Sequence, residues 1–600
     1  MSLHDLLHTG PSAGLPVSRL DWALAQMLHQ AQPTTDMRHL WLAALTSHQW
    51  SRGHACLDLH ALQTDPATCL GWTHEQVARL PSNLTDAAAN LPWCAGESGP
   101  LVYAPSGARP RLYLRRAWQA EQTIRHALRE RVQHPPEVPA DLSAPLDVLF
   151  GPPPNGEPDW QRLACETAAR RSVCLITGGP GTGKTTTVAR LLALLLGLPT
   201  QAATSPSGHA TGASGSSSSL RIHLAAPTGK AAARLTQSIR AAVAELPEAV
   251  QARIPTEAHT LHRLLRVGRG RGVPTLATDL VVVDEASMID LEMMARLLRS
   301  VPRSARLVLL GDRDQLASVE AGAVMAQLCE LPGLADHIVT LRRSHRFDAQ
   351  RGIGQWAQAV NTGQPVAPLW ANTPLVPTSS AAAWPDVTRL QDGQDAELAA
   401  LVQGAWHDWR AQLAQVQQAR ACSDAQAAAL LQAWSAFGVL CATREGPQGV
   451  ARLTARIERA LRLPSPDALG WYVGRPVMVT RNDYALGLMN GDMGLCLPRT
   501  EGRWQVAFAA EGGGVRWLQP ARLGAMETAW AMTVHKSQGS EWAHVLLVLP
   551  SEPTPVLTRE LVYTGLTRAR LRLTLWVPQL DTLAQACQRQ VQRSGGLADG

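Results

Sequence analysis

Only three of the 55 basic side chains in this sequence are lysines, Lys184, Lys230 and Lys536; all the others are arginine. Where arginine serves as the general cation, a retained lysine marks a place that needs a compact point charge rather than a planar fork. Lys184 lies in the run Gly178, Gly179, Pro180, Gly181, Thr182, Gly183, Lys184, Thr185, Thr186, which follows the apolar stretch Val173–Thr177 and opens an apolar segment ending at Leu196. A strand–loop–helix of this kind turns backbone N–H groups toward a polyphosphate at the positive end of a helix. Lys184 is then placed to reach the β- and γ-phosphates, and the Thr185 hydroxyl to hold Mg²⁺. Further on, a short apolar run ending at Val283 delivers Asp284 and Glu285. At the ligand-binding edge of a parallel sheet these acids suit a metal carboxylate and a general base for the attacking water, respectively. The next apolar run, Arg306–Leu310, ends in GDRDQL. Neutral Gln315 can sense a terminal phosphate there, while Asp312 and Asp314 are turn-formers or ligands.

Such residues must be held by a sheet with helices on both faces. Short β-rich runs (Val173–Thr177, Ile222–Ala226, Leu280–Val283, Arg306–Leu310) alternate with amphipathic helices from about 150 to 345, which predicts a parallel sheet with crossover helices. A second α/β region is expected over 346–472 and 526–590, with apolar runs Gly438–Ala442, Val545–Leu549 and Leu571–Val577. Between its halves, 473–525 carries four short strand-like runs, Val477–Thr480, Met493–Leu497, Trp504–Phe508 and Val515–Leu518. With Asn490–Gly491 as a tight hairpin, positive φ at both positions, this reads as an inserted β-barrel. Residues 1–145 read as a helical N-terminal domain, with helices around Leu20–Leu28 and Met37–Thr46 and six tryptophans (22, 41, 50, 72, 93, 118) for its core. The proline-dense stretch 131–158 reads as a linker, and Thr204–Ser219 as a flexible surface loop.

A chain of 600 residues, 45% hydrophobic and 17% charged, is globular and multidomain in composition. Its net charge of +6 permits nucleic-acid binding through local patches. Ten scattered cysteines with no CxxC pair argue for buried thiols in a reducing compartment and against a zinc or iron–sulfur site. The opening MSLHDLLHTGPSAG lacks the basic-then-apolar run of a signal peptide, and no apolar stretch is long enough to span a bilayer. A cytoplasmic chain without membrane contact is expected.

Eight segments together resemble superfamily 1 helicases. They are the phosphate loop, APTGKAAARL (226–235), EAHTLHRLL (257–265), DEAS (284–287), GDRDQL (311–316), LRRSHRF (341–347), TVHKSQGSEW (533–542) and LVYTGLTRAR (561–570). Within them the chain is most similar to the RecD branch, the alpha subunit of exodeoxyribonuclease V; VLCATREGPQGV (439–450), GRPVMVTRNDYALGLMNGDMG (474–494) and HACLDL (54–59) add to the likeness. The resemblance implies two RecA-like motor domains with ATP and Mg²⁺ between them, an SH3-like insertion, and ATP-driven 5′-to-3′ movement on single-stranded DNA. It implies RecB-like and RecC-like partner subunits acting at duplex DNA ends in double-strand break repair, with nuclease chemistry in a partner chain. The N-terminal domain, 1–145, is expected to dock onto the large subunits. A stand-alone RecD-like helicase and a non-motor structural subunit are the alternatives.

By motif position, Gln161 would read adenine, Glu541 would contact the ribose, and Arg346 and Arg568 would reach the γ-phosphate from the second motor domain. Pro227, Thr228, Lys230, Thr260 and His262 from the first domain, and Asn482, Thr533, His535, Lys536 and Ser537 from the second, are the expected DNA contacts. Trp542 and Phe347 are core or hinge aromatics, or base-stackers.

Overall fold

The computed structural model describes residues 14–105, 109–152, 158–197, 220–267, 272–346, 351–376, 385–390, 395–483, 485–500, 502–510 and 514–599. The Thr204–Ser219 loop and Phe347 lie outside them.

The N-terminal region is helical, as expected, with helices Arg19–Ala31 and Met37–Ser51. It also holds a three-stranded antiparallel sheet that the sequence reading missed: β1 (Leu57–Asp58), β2 (Leu101–Ala104) and β3 (Arg111–Leu114), in the order β1-β3-β2. Trp22, Trp41, Trp72 and Trp93 are buried in this region, and Trp50 and Trp118 are partly buried.

The phosphate-loop half is a six-stranded, wholly parallel sheet of β4 (Val173–Thr177), β5 (Ile222–Ala226), β6 (Ala258–Thr260), β7 (Leu280–Val283), β8 (Arg306–Gly311) and β9 (Ile338–Thr340), in the order β6-β5-β7-β8-β4-β9. Alternate residues of its strands serve two cores. Val173, Leu175, Val281 and Val283 face one side; Cys174, Ile176, Leu280 and Val282 face the other, against helices Trp160–Arg170, Lys184–Gly197 and Gly229–Ala244. A sheet buried on both faces explains why its strands are continuous apolar runs. Helix Arg115–Gln133, from the N-terminal region, completes the first core. Arg131 of that helix is buried, and its guanidinium donates to the carbonyls of Val301, Pro302 and Ala305 at 2.8–3.0 Å.

The second half opens with β10 (Val387–Arg389) and β11 (Phe437–Cys441). The inserted strands follow: β12 (Pro476–Val479), β13 (Met493–Thr500), β14 (Arg503–Ala509), β15 (Val515–Leu518) and β16 (Met526–Thr528), one antiparallel sheet in the order β15-β14-β13-β12-β16. The chain then returns to the large sheet through β17 (Met532–Thr533), β18 (Trp542–Val548) and β19 (Ala569–Trp576), giving the parallel order β10-β19-β18-β11-β17. The insertion thus runs past the expected 525, because β16 pairs with β12 rather than joining the large sheet. Its own core is Val477, Val479, Cys496, Val506 and Phe508, while Leu495, Leu497 and Ala507 pack into the neighbouring domain.

Two local expectations are corrected. Asn490–Gly491 is not a tight two-residue hairpin, since β12 ends at Val479 and β13 begins at Met493. Only Gly491 has positive φ (+93°), and the Asp492 N–H donates to the Met489 carbonyl, a type II pattern that needs one left-handed residue. The proline-dense stretch is not all linker: it contains helix Ser143–Phe150, which buries Leu142 and Leu146 against the core of the first sheet. All ten cysteines are free thiols. Among the described residues no helix is long and apolar enough to cross a membrane.

Replacing Arg131 by Met should cost about 1–3 kcal/mol, because the substitution leaves buried carbonyls without a donor. Urea unfolding of the two proteins checks this, and an undiminished midpoint would show that the contact contributes nothing.

Candidate active site

Three strand ends of the first sheet form one wall. β4 runs into the phosphate loop, where Gly181 and Gly183 take φ of +77° and +83°, a left-handed conformation that glycine adopts without strain. Lys184 Nζ donates to the carbonyls of Gly178 (2.6 Å) and Gly179 (3.1 Å), and buried Thr182 donates its hydroxyl to Gly179 (2.9 Å). Thr185 and Thr186 lie in the first turn of the helix that Lys184 opens, half-buried. Gln161 sits beside the loop, donating to the Thr182 carbonyl (3.4 Å) and accepting from Arg190 (3.1 Å). A Cβ on Gly183 would collide with the Gln161 amide, so glycine there is a matter of space as well as φ.

At the end of β7, burial first and then the neighbouring Glu285 push the Asp284 carboxyl up to about 6, against the opposing pull of Lys184. Glu285 is left-handed (φ +53°), an uncommon conformation for a non-glycine residue. At the end of β8, Asp312 is fully enclosed. Its carboxylate accepts from the Asp314 backbone N–H, the Gln315 amide (3.0 Å) and the Tyr563 hydroxyl (3.2 Å). Asp312 is therefore both a turn-former and a link to the opposite half. Burial lifts its carboxyl to about 6.

The second sheet presents the opposite edge of its strands. Glu541 precedes β18 and Arg568 precedes β19, and the Trp542 N–H donates to the Arg568 carbonyl (3.0 Å), locking the two starts together. The Arg568 guanidinium is buried, with neutral oxygens as its direct partners: Gln315 Oε1 (2.6 Å) across the seam, and the carbonyls of Ser540 and Thr564. Thr564 also accepts the Leu316 N–H (2.9 Å). Glu541 takes Arg346 Nη1 on Oε1 (2.7 Å) and pairs through the same oxygen with Arg234 of helix Gly229–Ala244. These arginines hold its carboxyl below the usual range despite burial.

Arg346 departs from expectation in where it is anchored. It is not part of the second sheet. Its segment is tied to the phosphate loop by His345 N–H to the Gly181 carbonyl (2.8 Å) and Ser344 Oγ to the Pro180 carbonyl (3.1 Å), and Arg346 Cβ occupies the space a side chain at Gly181 would need.

The expected DNA residues converge in part. Register pairs Ala226 with Thr260 on neighbouring strands, so Pro227, Thr228, Thr260 and His262 share one edge, with His262 exposed. Thr228 and Thr260 cap their helices through their hydroxyls. From the other half, Gly539 approaches Thr228 and Ala231, and the loop residue Met489 abuts Gly229. Lys230 lies 5.8 Å from the centre of the Trp542 ring, and burial lowers its ammonium to about 8. Trp542 itself is a core residue. Lys536 is paired with Glu527, and Asn482 accepts the Asn490 N–H (2.8 Å). Thr533 and Ser537 are buried with hydroxyls used locally, and burial holds the half-buried His535 imidazole below its usual range. Sequence reasoning missed Arg234, Tyr563 and Thr564. Only Arg234 left a trace, four residues after Lys230 on the same helical face.

The fold and the seam define a P-loop ATPase with two RecA-like sheets, of the superfamily 1 helicase class. Family profiles match in three places: the AAA domain over 158–372, the UvrD-like helicase C-terminal domain over 528–576, and the RecBCD enzyme subunit RecD N-terminal domain over 16–113. The chain is 38% identical to the RecBCD enzyme subunit RecD of Mycolicibacterium smegmatis over 85% of its length and 87% of that protein. It is 32% identical to the same subunit of Haemophilus influenzae over 97% of both. The ATP-dependent RecD2 DNA helicase of Deinococcus radiodurans is 30% identical, over 81% of this chain but 58% of its own length. The chain belongs to the family of RecBCD enzyme subunit RecD.

The Asp312 carboxyl titrates near 6 in the folded chain against 3.8 as an unperturbed group, so the folded state holds a proton that the unfolded chain has lost. Its contribution to stability is thus present below about pH 4 and lost as pH rises through 6. Asp312→Asn, a mimic of the neutral acid, should gain on the wild type across that window by up to about 3 kcal/mol. Melting temperatures from pH 4 to 7 test this, and a difference that does not change with pH would contradict the assignment.

Proposed function

We propose that this chain is an ATP-driven DNA motor that moves 5′ to 3′ along single-stranded DNA as a subunit of a RecBCD-type complex, with RecB-like and RecC-like partners at duplex ends. The observation that carries the motor reading is the Arg568 guanidinium, buried at the seam on neutral oxygens and facing a wall with two raised carboxyls and Lys184. A buried cation without a direct anionic partner is costly, and a triphosphate is an anion that could satisfy it. The polarity rests on the sequence resemblance alone. The similarities favour a complex subunit over a stand-alone helicase: the chain is 38% identical to the Mycolicibacterium RecBCD subunit against 30% to the RecD2 helicase, and residues 16–113 match the N-terminal domain of the RecBCD enzyme subunit RecD.

In this reading the loop N–H groups and Lys184 cradle the β- and γ-phosphates, and Gln161 meets the base. Thr185 and Asp284 would hold Mg²⁺. Among the described residues no group of three or more His, Cys, Asp or Glu side chains is placed to hold a metal. A hard ion that keeps waters and phosphate oxygens in its shell suits this sparse oxygen set. Mg²⁺, when bound there, neutralises phosphate charge. Glu285 takes a proton from the attacking water, and Arg346 and Arg568 face the transferred group. Gln315, bonded to both Arg568 and Asp312, joins hydrolysis to the contact between the halves. Loss of the γ-phosphate removes the anion that favours closure, and a DNA grip that differs between open and closed states turns each cycle into a step. The residues at the edge around Thr228, Thr260 and the 533–537 turn are the proposed DNA contacts, and the N-terminal domain, 1–145, is the proposed docking region.

Lys184→Gln should abolish ATPase activity while leaving the fold intact, as a cooperative thermal melt checks; normal DNA-stimulated turnover in that variant would refute the site. Arg568→Ala should cut turnover by about 10³–10⁵-fold, the usual effect of removing an arginine finger. Separate assays of ATP hydrolysis, unwinding from 5′- and 3′-tailed duplexes, and DNA cleavage, with the chain alone and co-expressed with candidate partners, test the polarity and the complex.

A further inference from the structure

The helix Gly229–Ala244 begins at the proposed DNA edge and ends its second turn at the nucleotide seam. Thr228 caps it, Lys230 lies against the Trp542 ring, and one turn later Arg234 pairs with Glu541, the residue just before Trp542. Lys230 and Arg234 are i and i+4, so one helical face meets two consecutive residues of the opposite half. Glu541 Oε1 is the acceptor for Arg234 and also for Arg346 Nη1 (2.7 Å). The Glu541 side chain is 12% exposed, so its charge is largely withdrawn from water.

This geometry constrains catalysis as proposed above. To face the γ-phosphate, Arg346 must give up Glu541. Leaving a largely buried carboxylate without a cation is strongly unfavourable, so a lone Glu541–Arg346 pair would hold the guanidinium back. A second arginine on the same oxygen keeps Glu541 compensated while Arg346 leaves. We propose that Arg234 is a positioning residue that frees Arg346 for the phosphate by keeping Glu541 paired, and that it connects the DNA-facing helix to the hydrolytic seam. DNA that shifts this helix moves Arg234 relative to Glu541, and thereby sets how readily Arg346 is released.

The inference rests on the ATP-driven motor reading, and the experiment separates the two. Steady-state ATP hydrolysis is measured on the full-length chain with saturating oligothymidylate for the wild type, Arg234→Ala, Arg234→Lys, and the double variant Arg234→Ala/Glu541→Gln, with thermal melts to confirm folding. Arg234→Ala should lose about tenfold or more in kcat, with KM for ATP changed by no more than about threefold, because Arg346 stays on Glu541. Arg234→Lys, which keeps a cation, should stay within about threefold of the wild type. At saturating ATP the double variant should recover most of the kcat lost by Arg234→Ala, since a neutral amide no longer retains Arg346, while any loss of the Glu541 contact to the ribose raises KM instead. Full turnover in Arg234→Ala, or a double variant no faster than Arg234→Ala, would overturn the inference while leaving the motor reading intact. A wild-type chain without DNA-dependent hydrolysis would overturn both.

Discussion

The structure turns on a buried guanidinium whose direct partners are all uncharged. Arg568 reaches across from the start of β19 to Gln315 at the mouth of β8, with Ser540 and Thr564 carbonyls completing its shell. On the facing wall, burial raises the carboxyls of Asp284 and Asp312 above their usual range. Arg568 and the two acids are thus held out of water at one seam without direct ion pairing between them, an arrangement that costs free energy unless a ligand completes it. Tyr563 and Thr564, on the helix Arg559–Thr567 leading into Arg568, add bonds to Asp312 and to the Leu316 N–H, so the same helix that delivers the cation also fastens the two halves.

The two sheets meet in complementary fashion. The first offers the carboxyl ends of β4, β7 and β8, where parallel α/β sheets place their ligands. The second offers the beginnings of β18 and β19, bound to one another through Trp542 and Arg568. Arg346 belongs to neither edge: it lies on the connector that follows β9 and is bonded to the phosphate loop, and its charge is spent on Glu541 from the other side. The connector therefore takes part in the contact between the halves as well as joining them in sequence.

Around that seam the other regions act as supports. Helix Arg115–Gln133 makes the N-terminal region part of the first sheet's core, through apolar packing and through Arg131 on three carbonyls. The antiparallel insertion shares Leu495, Leu497 and Ala507 with the core of the second sheet and brings Met489 against Gly229, next to the helix whose later residue Arg234 meets Glu541. Close packing thus runs without a break from the insertion loop through that helix to the nucleotide wall.

The amino-acid sequence by itself determined the local chemistry. The phosphate-loop spacing, the apolar runs that became β4, β5, β7 and β8, and the acids following β7 were legible because each is set by residues close together in the chain. The short strands β1 to β3 were not, since two to four residues carry too little alternation to stand out and form only once their partners are in place. The pairing of β16 with β12, the helix within the proline-dense stretch and the anchoring of Arg346 likewise depend on packing partners far along the chain. Only the tertiary structure decided which arginine meets which carboxylate: Arg234 and Glu541 are 307 residues apart, and no local pattern can specify a shared acceptor over that separation. Short-range sterics and hydrophobic periodicity write the elements into the sequence, whereas charge pairing at a seam is settled by how two independently formed sheets fit together.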